Sequence, residues 1–547
     1  MHILATTSSS LDDLLEPLDL DQAPADVVVL SFSPSDLNSI SSAWPADGNT
    51  SISVANLNDL RHPMSIDLWL EKTAARAKLI LVRILGGYDR WQYGVEQLAR
   101  LARTKNIKLA LLPGECSIRD ERLAAASTVN GDDLAALLSC FREGGRENMR
   151  RLASRLEALA RGDFVELLPA QEMPKSGFYR PGAGVVSLQS LLDDHPPATP
   201  RLPILFYRSM LLANDVSPID ALFTSLAARG FAPIPLFLGS LKDGDCRDFV
   251  YAAMESMDPA AILTTTAFAA GADSNNDTIF DVCGVPVFQI VIATTQRDAW
   301  TSSQRGLGPS DLAMHVVLPE LDGRILAGAV SFKQGSASSR IFNQPEPDRV
   351  DRVVERVARF LRMQRTPRPD RKIAVLMPDY PNAPGRIGYA VGLDVPQSVL
   401  TMMNILEDAG YWLADQPGSP RELLDRLEER KGGLGLEAYA ASLTRLPAGA
   451  SEETEATWGS YTEDPDIAEG AFRFRAATFG NVTVALAPDR GRNADRRADY
   501  HDPHLPPRHA LLAFGIWLCE TLDVDAVVHV GAHGTLEWLP GKTVALS

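Results

Sequence analysis

Short runs of β-branched and aliphatic residues, each followed by a loop and an amphipathic stretch, recur along this chain and leave few folds open. Residues 77–85 read Ala-Lys-Leu-Ile-Leu-Val-Arg-Ile-Leu and stop at Gly86-Gly87, with a second strand expected over 107–112. Residues 201–207 form another strand. Ser217-Pro218 then supplies an N-cap and a first-turn proline for a helix with Ile219, Leu222, Phe223 and Leu226 on one face, and Gly230 stops it. Strands follow at 232–238, 262–266 and 285–292. Residues 372–377 open a third unit, with a helix from Pro396 to about Ala409 and later strands at 482–486 and 526–530. Near-continuous apolar strands alternating with helices bury both faces of a sheet. The expectation is therefore an α/β, multidomain chain with several mostly parallel sheets covered by helices.

At 547 residues the chain is too long for one core. The expected division is an α/β domain over 1–130, a charged helical linker region over 131–200, a second α/β domain over 201–365, and the start of a catalytic core over 366–547. Residues 344–370 read as a boundary helix with a Pro/Arg-rich tail, and the acidic stretch 448–465 as a surface loop. The apparent start of a strand at 543–546 suggests a chain that continues past Ser547.

Net charge is −17, which argues against a nucleic-acid or anionic-membrane surface. No apolar run approaches the roughly 20 residues of a membrane span, and Met-His-Ile-Leu-Ala-Thr-Thr does not resemble a secretory leader. The five cysteines are scattered with no C-x-x-C pair, as reduced thiols of a cytoplasmic protein would be.

The chemistry is concentrated late in the chain. Five of the nine histidines, His501, His504, His509, His529 and His533, fall between residues 501 and 533. Imidazole is both a common metal ligand and a proton carrier near neutral pH. His529 lies in an expected strand, and Gly531–Gly534 would turn at its carboxyl end, where open α/β sheets bind ligands. A helical turn beyond it would bring Glu537 within reach of His533, a pair able to bind a divalent metal or share a proton. The bland reading makes His529 a core histidine. Tyr500-His-Asp-Pro-His504 and His509 precede or open a helix, where the plain alternative is a polar cap. Gly541-Lys542-Thr543 suggests a phosphate loop, but six residues rather than four separate Gly534 from Gly541, and Pro540 lacks an N–H to offer phosphate. ATP is not expected to bind there. H-E-x-x-H, C-x-x-C and G-x-S-x-G are absent.

The segment His529-Val-Gly-Ala-His-Gly-Thr-Leu-Glu-Trp-Leu-Pro-Gly-Lys542, with Tyr500-His-Asp-Pro-His504 and Gly392-Leu-Asp-Val-Pro-Gln-Ser398, resembles the large subunit of the aerobic, CobN-type cobaltochelatases, which are related to the H subunit of magnesium chelatase. Leu318-Pro-Glu-Leu-Asp-Gly-Arg324, Ser331-Phe-Lys333 and Phe206-Tyr-Arg208 extend the resemblance. It implies ATP-dependent insertion of Co²⁺, as substrate, into a corrin precursor, hydrogenobyrinic acid a,c-diamide, during cobalamin synthesis. This subunit would hold macrocycle and metal, while two smaller partners, at least one an AAA+ ATPase, use ATP and Mg²⁺. His533, Glu537 and His529 are the expected catalytic and metal-holding residues; Tyr500, His501, His504, His509 and Trp538 the expected macrocycle contacts. The family's large subunit is about twice this length, so this segment alone is expected to be inactive. A porphyrin-metallating subunit and a non-catalytic tetrapyrrole-binding module are the alternatives.

Overall fold

In a computed structural model the described residues are 17–45, 50–114, 120–163, 166, 168–271, 278–281, 283–335, 341–378, 388–446, 449–491, 499, 502, 504–531, 539 and 541–542. They form two compact units, one up to Glu355 and one from Arg356 onward.

The first unit holds two sheets. β1 (Val27–Ser31), β2 (Ile52–Asn56), β3 (Leu79–Ile84) and β4 (Lys108–Pro113) lie in the order β2-β1-β3-β4, all parallel. Strand alternation divides their apolar residues between two cores. Val28, Leu30, Ile80, Val82, Leu109 and Leu111 meet Trp69, Val95 and Leu98 on one face. Val27, Val29, Leu79, Leu81 and Leu112 meet Leu137, Leu138, Leu152 and Leu156 on the other. Those last leucines belong to the helices Gly131–Glu143 and Gly145–Arg161. The region expected to be a linker from residue 131 is thus half the covering of the first sheet; its charged residues form the outer face of helices whose leucine stripes are buried.

The second sheet contains β5 (Ser176–Arg180), β6 (Gly184–Val186), β7 (Arg201–Tyr207), β8 (Ala232–Leu238), β9 (Ile262–Thr264), β10 (Val287–Gln296), β11 (Ile325–Gln334) and β12 (Phe342–Pro345), in the order β12-β11-β10-β9-β7-β8-β5-β6. The five central strands are parallel, and antiparallel strands close both edges. Residues 176–186, expected to be linker, are therefore strands of this sheet.

Three segments of the first unit that carried the family resemblance prove to be clamps. The Arg324 side chain is fully buried and donates to the carbonyls of Thr266 (3.0 Å) and Phe268 (3.0 Å), to Gln289 Oε1 (2.9 Å) and to Asp322 Oδ2 (2.7 Å). Asp322 in turn accepts the Ala270 N–H at 2.7 Å. Lys333 lies 3.6 Å from Asp215, whose other contacts, at 2.9 and 2.8 Å, are to the backbone and side chain of Asn343. Arg208 caps the carbonyls of Met173 and Pro174.

Near that Arg324 clamp, His315 is buried on a π-helical turn, Ala313–Val317. Burial holds its basicity below the ordinary histidine value of 6.5; Asp311 opposes that effect and Arg324 reinforces it. The unfolded chain therefore binds this proton more readily than the folded one. The stability linked to His315 is complete above the unfolded value and declines as pH falls below about 6.5. Urea unfolding of wild type and His315→Gln over pH 5 to 8 should show a shallower acid-side decline in the variant, and superimposable pH profiles would refute the assignment.

The second unit is built on β13 (Ile373–Met377), with a hairpin of β14 (Tyr389–Ala390) and β15 (Leu393–Asp394), and a small sheet of β16 (Gly432–Gly435), β17 (Ile467–Ala468) and β18 (Ala471–Phe474). β13 lies in a sheet with β19 (Ala476–Phe479), β20 (Val482–Leu486) and β21 (Ala526–His529), ordered β19-β20-β13-β21. Asp394 caps the helix Val395–Asp408, whose Val399 and Met403 pack under Val375, Met377 and Val484. Phe514 and Trp517 cover the opposite face with Phe472 and Phe474. The acidic stretch expected to be a loop contains a helix, Ala450–Trp458, because the Glu452 carboxylate accepts the Gly449 N–H at 3.0 Å and seeds its first turn.

Candidate functional site

β20, β13 and β21 run parallel, so their carboxyl ends open on one sheet edge: Met377 is level with Leu486, and Leu376 with His529. Each strand leads into a segment singled out from sequence. β13 leads into residues 380–388, β20 into the stretch reaching Tyr500 and His509, and β21 into His533 and Glu537. All three leave the sheet where α/β proteins place their ligands.

His529 is the last residue of β21, half-buried and at this edge. His504 is exposed, on a turn whose backbone N–H bonds Asp502 at 2.8 Å. Tyr500, His501, His533, Glu537 and Trp538 lie outside the described residues, as does the 380–387 loop.

His509 departs from its expected role as a macrocycle contact. It is 2% exposed and opens the helix His509–Ile516 with its ring turned inward. Nε2 lies 3.0 Å from the Gly459 carbonyl, which can only accept, so Nε2 carries a proton. Nδ1 lies 2.8 Å from the Tyr439 hydroxyl. Burial pushes the Tyr439 phenol up, Asp464 adds to the effect, and the hydroxyl stays a donor at neutral pH. With both nitrogens engaged, His509 ties its helix to Tyr439 and Gly459.

Two arginines that the sequence reading passes over anchor the histidine-bearing segment. Arg490, just past β20, donates to the carbonyls of Asp502 and Leu505. Arg508 reaches Asp464 at 2.9 Å and Asp466 at 3.3 Å, and the Trp458 indole donates to the Pro506 carbonyl at 2.9 Å. The available sequence signal was a cation beside each end of a His/Pro-rich stretch. The backbone around His504 is therefore tied to the sheet and to the helix Ala450–Trp458, a rigid mounting for an exposed imidazole.

Among the described residues no three His, Cys, Asp or Glu side chains come together as a metal site. A cleft of about 640 Å³ in this unit, between Arg426, Lys431, Thr478 and Trp517, contains none of the expected site residues. No helix among the described residues is long and apolar enough to cross a membrane. Cys140 is buried, with its thiol pushed up to about 11, which fits an inert core residue.

A mostly parallel α/β sheet with His529 at its carboxyl edge has the architecture in which ligands are commonly held at that edge. Comparison with known proteins narrows that class. Residues 138–547 match the CobN/Magnesium Chelatase family. The whole chain is 36% identical to the aerobic cobaltochelatase subunit CobN of a Sinorhizobium species, over 45% of that protein's length. Over 88% of its residues it is 27% identical to the magnesium-chelatase H subunit of Rhodobacter capsulatus, covering 42% of that protein. Its fold matches the catalytic subunit of cobaltochelatase from Mycobacterium tuberculosis with a TM-score of 0.76 and 28% identity, covering 95% of this chain and 44% of that one. The chain belongs to the CobN/magnesium chelatase family, and spans somewhat under half the length of these relatives.

Proposed function

We propose that this chain is part of the macrocycle- and metal-binding subunit of an ATP-dependent cobaltochelatase, inserting Co²⁺ into a corrin precursor, hydrogenobyrinic acid a,c-diamide, during cobalamin synthesis. The observation that carries the reading is the His-Gly-Thr-x-Glu segment that follows β21 in the sequence, in a chain 36% identical throughout to a CobN subunit. Metallating a tetrapyrrole-type ring requires removing ring N–H protons and stripping water from the metal. A base beside the ring nitrogens and nitrogen or oxygen ligands for the incoming ion supply both. His533 and Glu537 form that pair, with His529 as second ligand or orienter, and Tyr500, His501, His504 and Trp538 face the macrocycle.

ATP and Mg²⁺ are used by two smaller partner subunits, at least one of the AAA+ type. This fits the poor phosphate-loop spacing around Gly541-Lys542. The reading is tested by supplying the full-length protein and its ATPase partners with Co²⁺ or Mg²⁺, and with the corrin precursor or protoporphyrin. Cobalt insertion into the corrin alone is the expected result. Turnover only with Mg²⁺ and porphyrin would move the protein to the magnesium branch, and binding of either ring with no metallation would make it a binding module.

A further inference from the structure

The first sheet carries a second ligand-site geometry, remote in sequence from the histidines. Its order β2-β1-β3-β4 sends the chain to one side after β1 and to the other after β2, so the connections part between β1 and β3. Crevices at such a switch point, at the carboxyl ends of the strands, are where open α/β sheets hold ligands. Phe32 follows β1 at that point. Arg61, from the turn after β2, and Arg90, from the turn after β3, each lie 6.0 Å from its ring centre. The Trp91 indole donates to the Leu60 carbonyl at 2.6 Å and locks the two arginine-bearing turns together. Gly86 and Gly87, at φ +89° and +71°, let the chain fold back tightly after β3.

A cleft of about 490 Å³ opens beside the two arginine-bearing turns, lined by Arg61, Asp89, Arg90, Trp91, Tyr93 and Glu96 among others. That is the size of a small-molecule site. Its lining holds two cations, Arg61 and Arg90, and two carboxylates, Asp89 and Glu96, both of which have other partners. Burial lowers the basicity of Arg61, the facing charge of Arg90 lowers it further, and Asp59 only partly offsets them. Asp59 is itself pushed toward neutrality by burial. Asp89 is engaged by Arg122 at 2.8 Å, and Glu96 accepts from Gln92 at 2.8 Å and Tyr88 at 3.2 Å. Among the described residues Arg90 makes no ion pair.

We infer that the cleft between the turns after β2 and β3 binds a small polyanion, bearing phosphates or several carboxylates, between the Arg61 and Arg90 guanidinium groups. An anion between them relieves their repulsion and accepts from two planar forks of donors. The site is independent of the metallation reading and can be tested on this chain without partners or macrocycle.

Isothermal titration of the 547-residue chain with pyrophosphate and, separately, with citrate should show one-site binding of at least one anion, weakening as salt is raised. The tighter of the two names the ligand class. Arg61→Gln or Arg90→Gln, both at exposed positions, should weaken it at least about tenfold, and the double variant should abolish it. Arg421→Gln, on an exposed helix face of the other unit, should bind as wild type does. No binding of either anion by the wild type, or undiminished binding by the double variant, would overturn the inference.

Discussion

Glu537→Gln in the full-length protein is expected to lower metal insertion at least about a hundredfold while leaving the macrocycle bound. Glutamine keeps the size of the side chain and most of its hydrogen bonding. It cannot take a proton from a ring nitrogen, nor offer an anionic oxygen to a divalent ion. His533→Ala should have an effect of the same order, since it removes the other half of the proposed pair. Removing residues that act as a unit is non-additive, so the double variant should be little worse than either single one. Steady-state metallation with the ATPase partners, followed by macrocycle absorbance, measures the loss, and a separate equilibrium titration of the macrocycle confirms binding. Near-normal turnover in either single variant would remove that residue from the chemistry.

Arg324→Ala should be the most damaging substitution in the first unit, costing about 3–5 kcal/mol. The side chain is fully buried and donates to two carbonyls, an amide and the Asp322 carboxylate. Its removal strands a buried negative charge and leaves the loop after β9 without its anchors. Phe268 in that loop holds a left-handed backbone at φ +65°, a strained conformation for a bulky residue that persists only while its surroundings enforce it. Arg324→Met with Asp322→Leu removes the charge together with its partner and should recover part of the loss. Urea denaturation of the three proteins decides the matter; a loss below about 1 kcal/mol for Arg324→Ala would show that the clamp is dispensable.

Where apolar runs were long and β-branched, the fold could be read directly from sequence. The strands at 201–207, 232–238 and 482–486 occur at the expected residues, because nearly every side chain in them is buried. Reading failed where composition hid the pattern. The helices Gly131–Glu143 and Gly145–Arg161 look like a charged linker because each shows water a polar face, and only the leucine spacing betrays what they cover. The helix Ala450–Trp458 has a weak apolar stripe and rests on its acidic first turn and a buried Thr454. At the site, the edge position of His529 followed from the strand and the glycine after it. The inward role of His509 did not, since its partners Tyr439 and Gly459 lie 70 and 50 residues away in sequence.

The strand order of the last sheet has a consequence for biosynthesis. Lys372, at the head of β13, bonds Asp525, 153 residues downstream; of the parallel neighbours of β13, β20 comes late in that interval and β21 follows directly after it. At translation rates of about 5–20 residues per second, β13 leaves the ribosome on the order of ten to thirty seconds before β21. A wholly apolar strand waits with both hydrogen-bonding edges open until β20 follows, and with one edge open until β21 does, the condition under which nascent chains pair with one another. Slowing synthesis between residues 378 and 526 should therefore lower the soluble yield of this unit, and holdase chaperones that shield extended apolar segments should restore it.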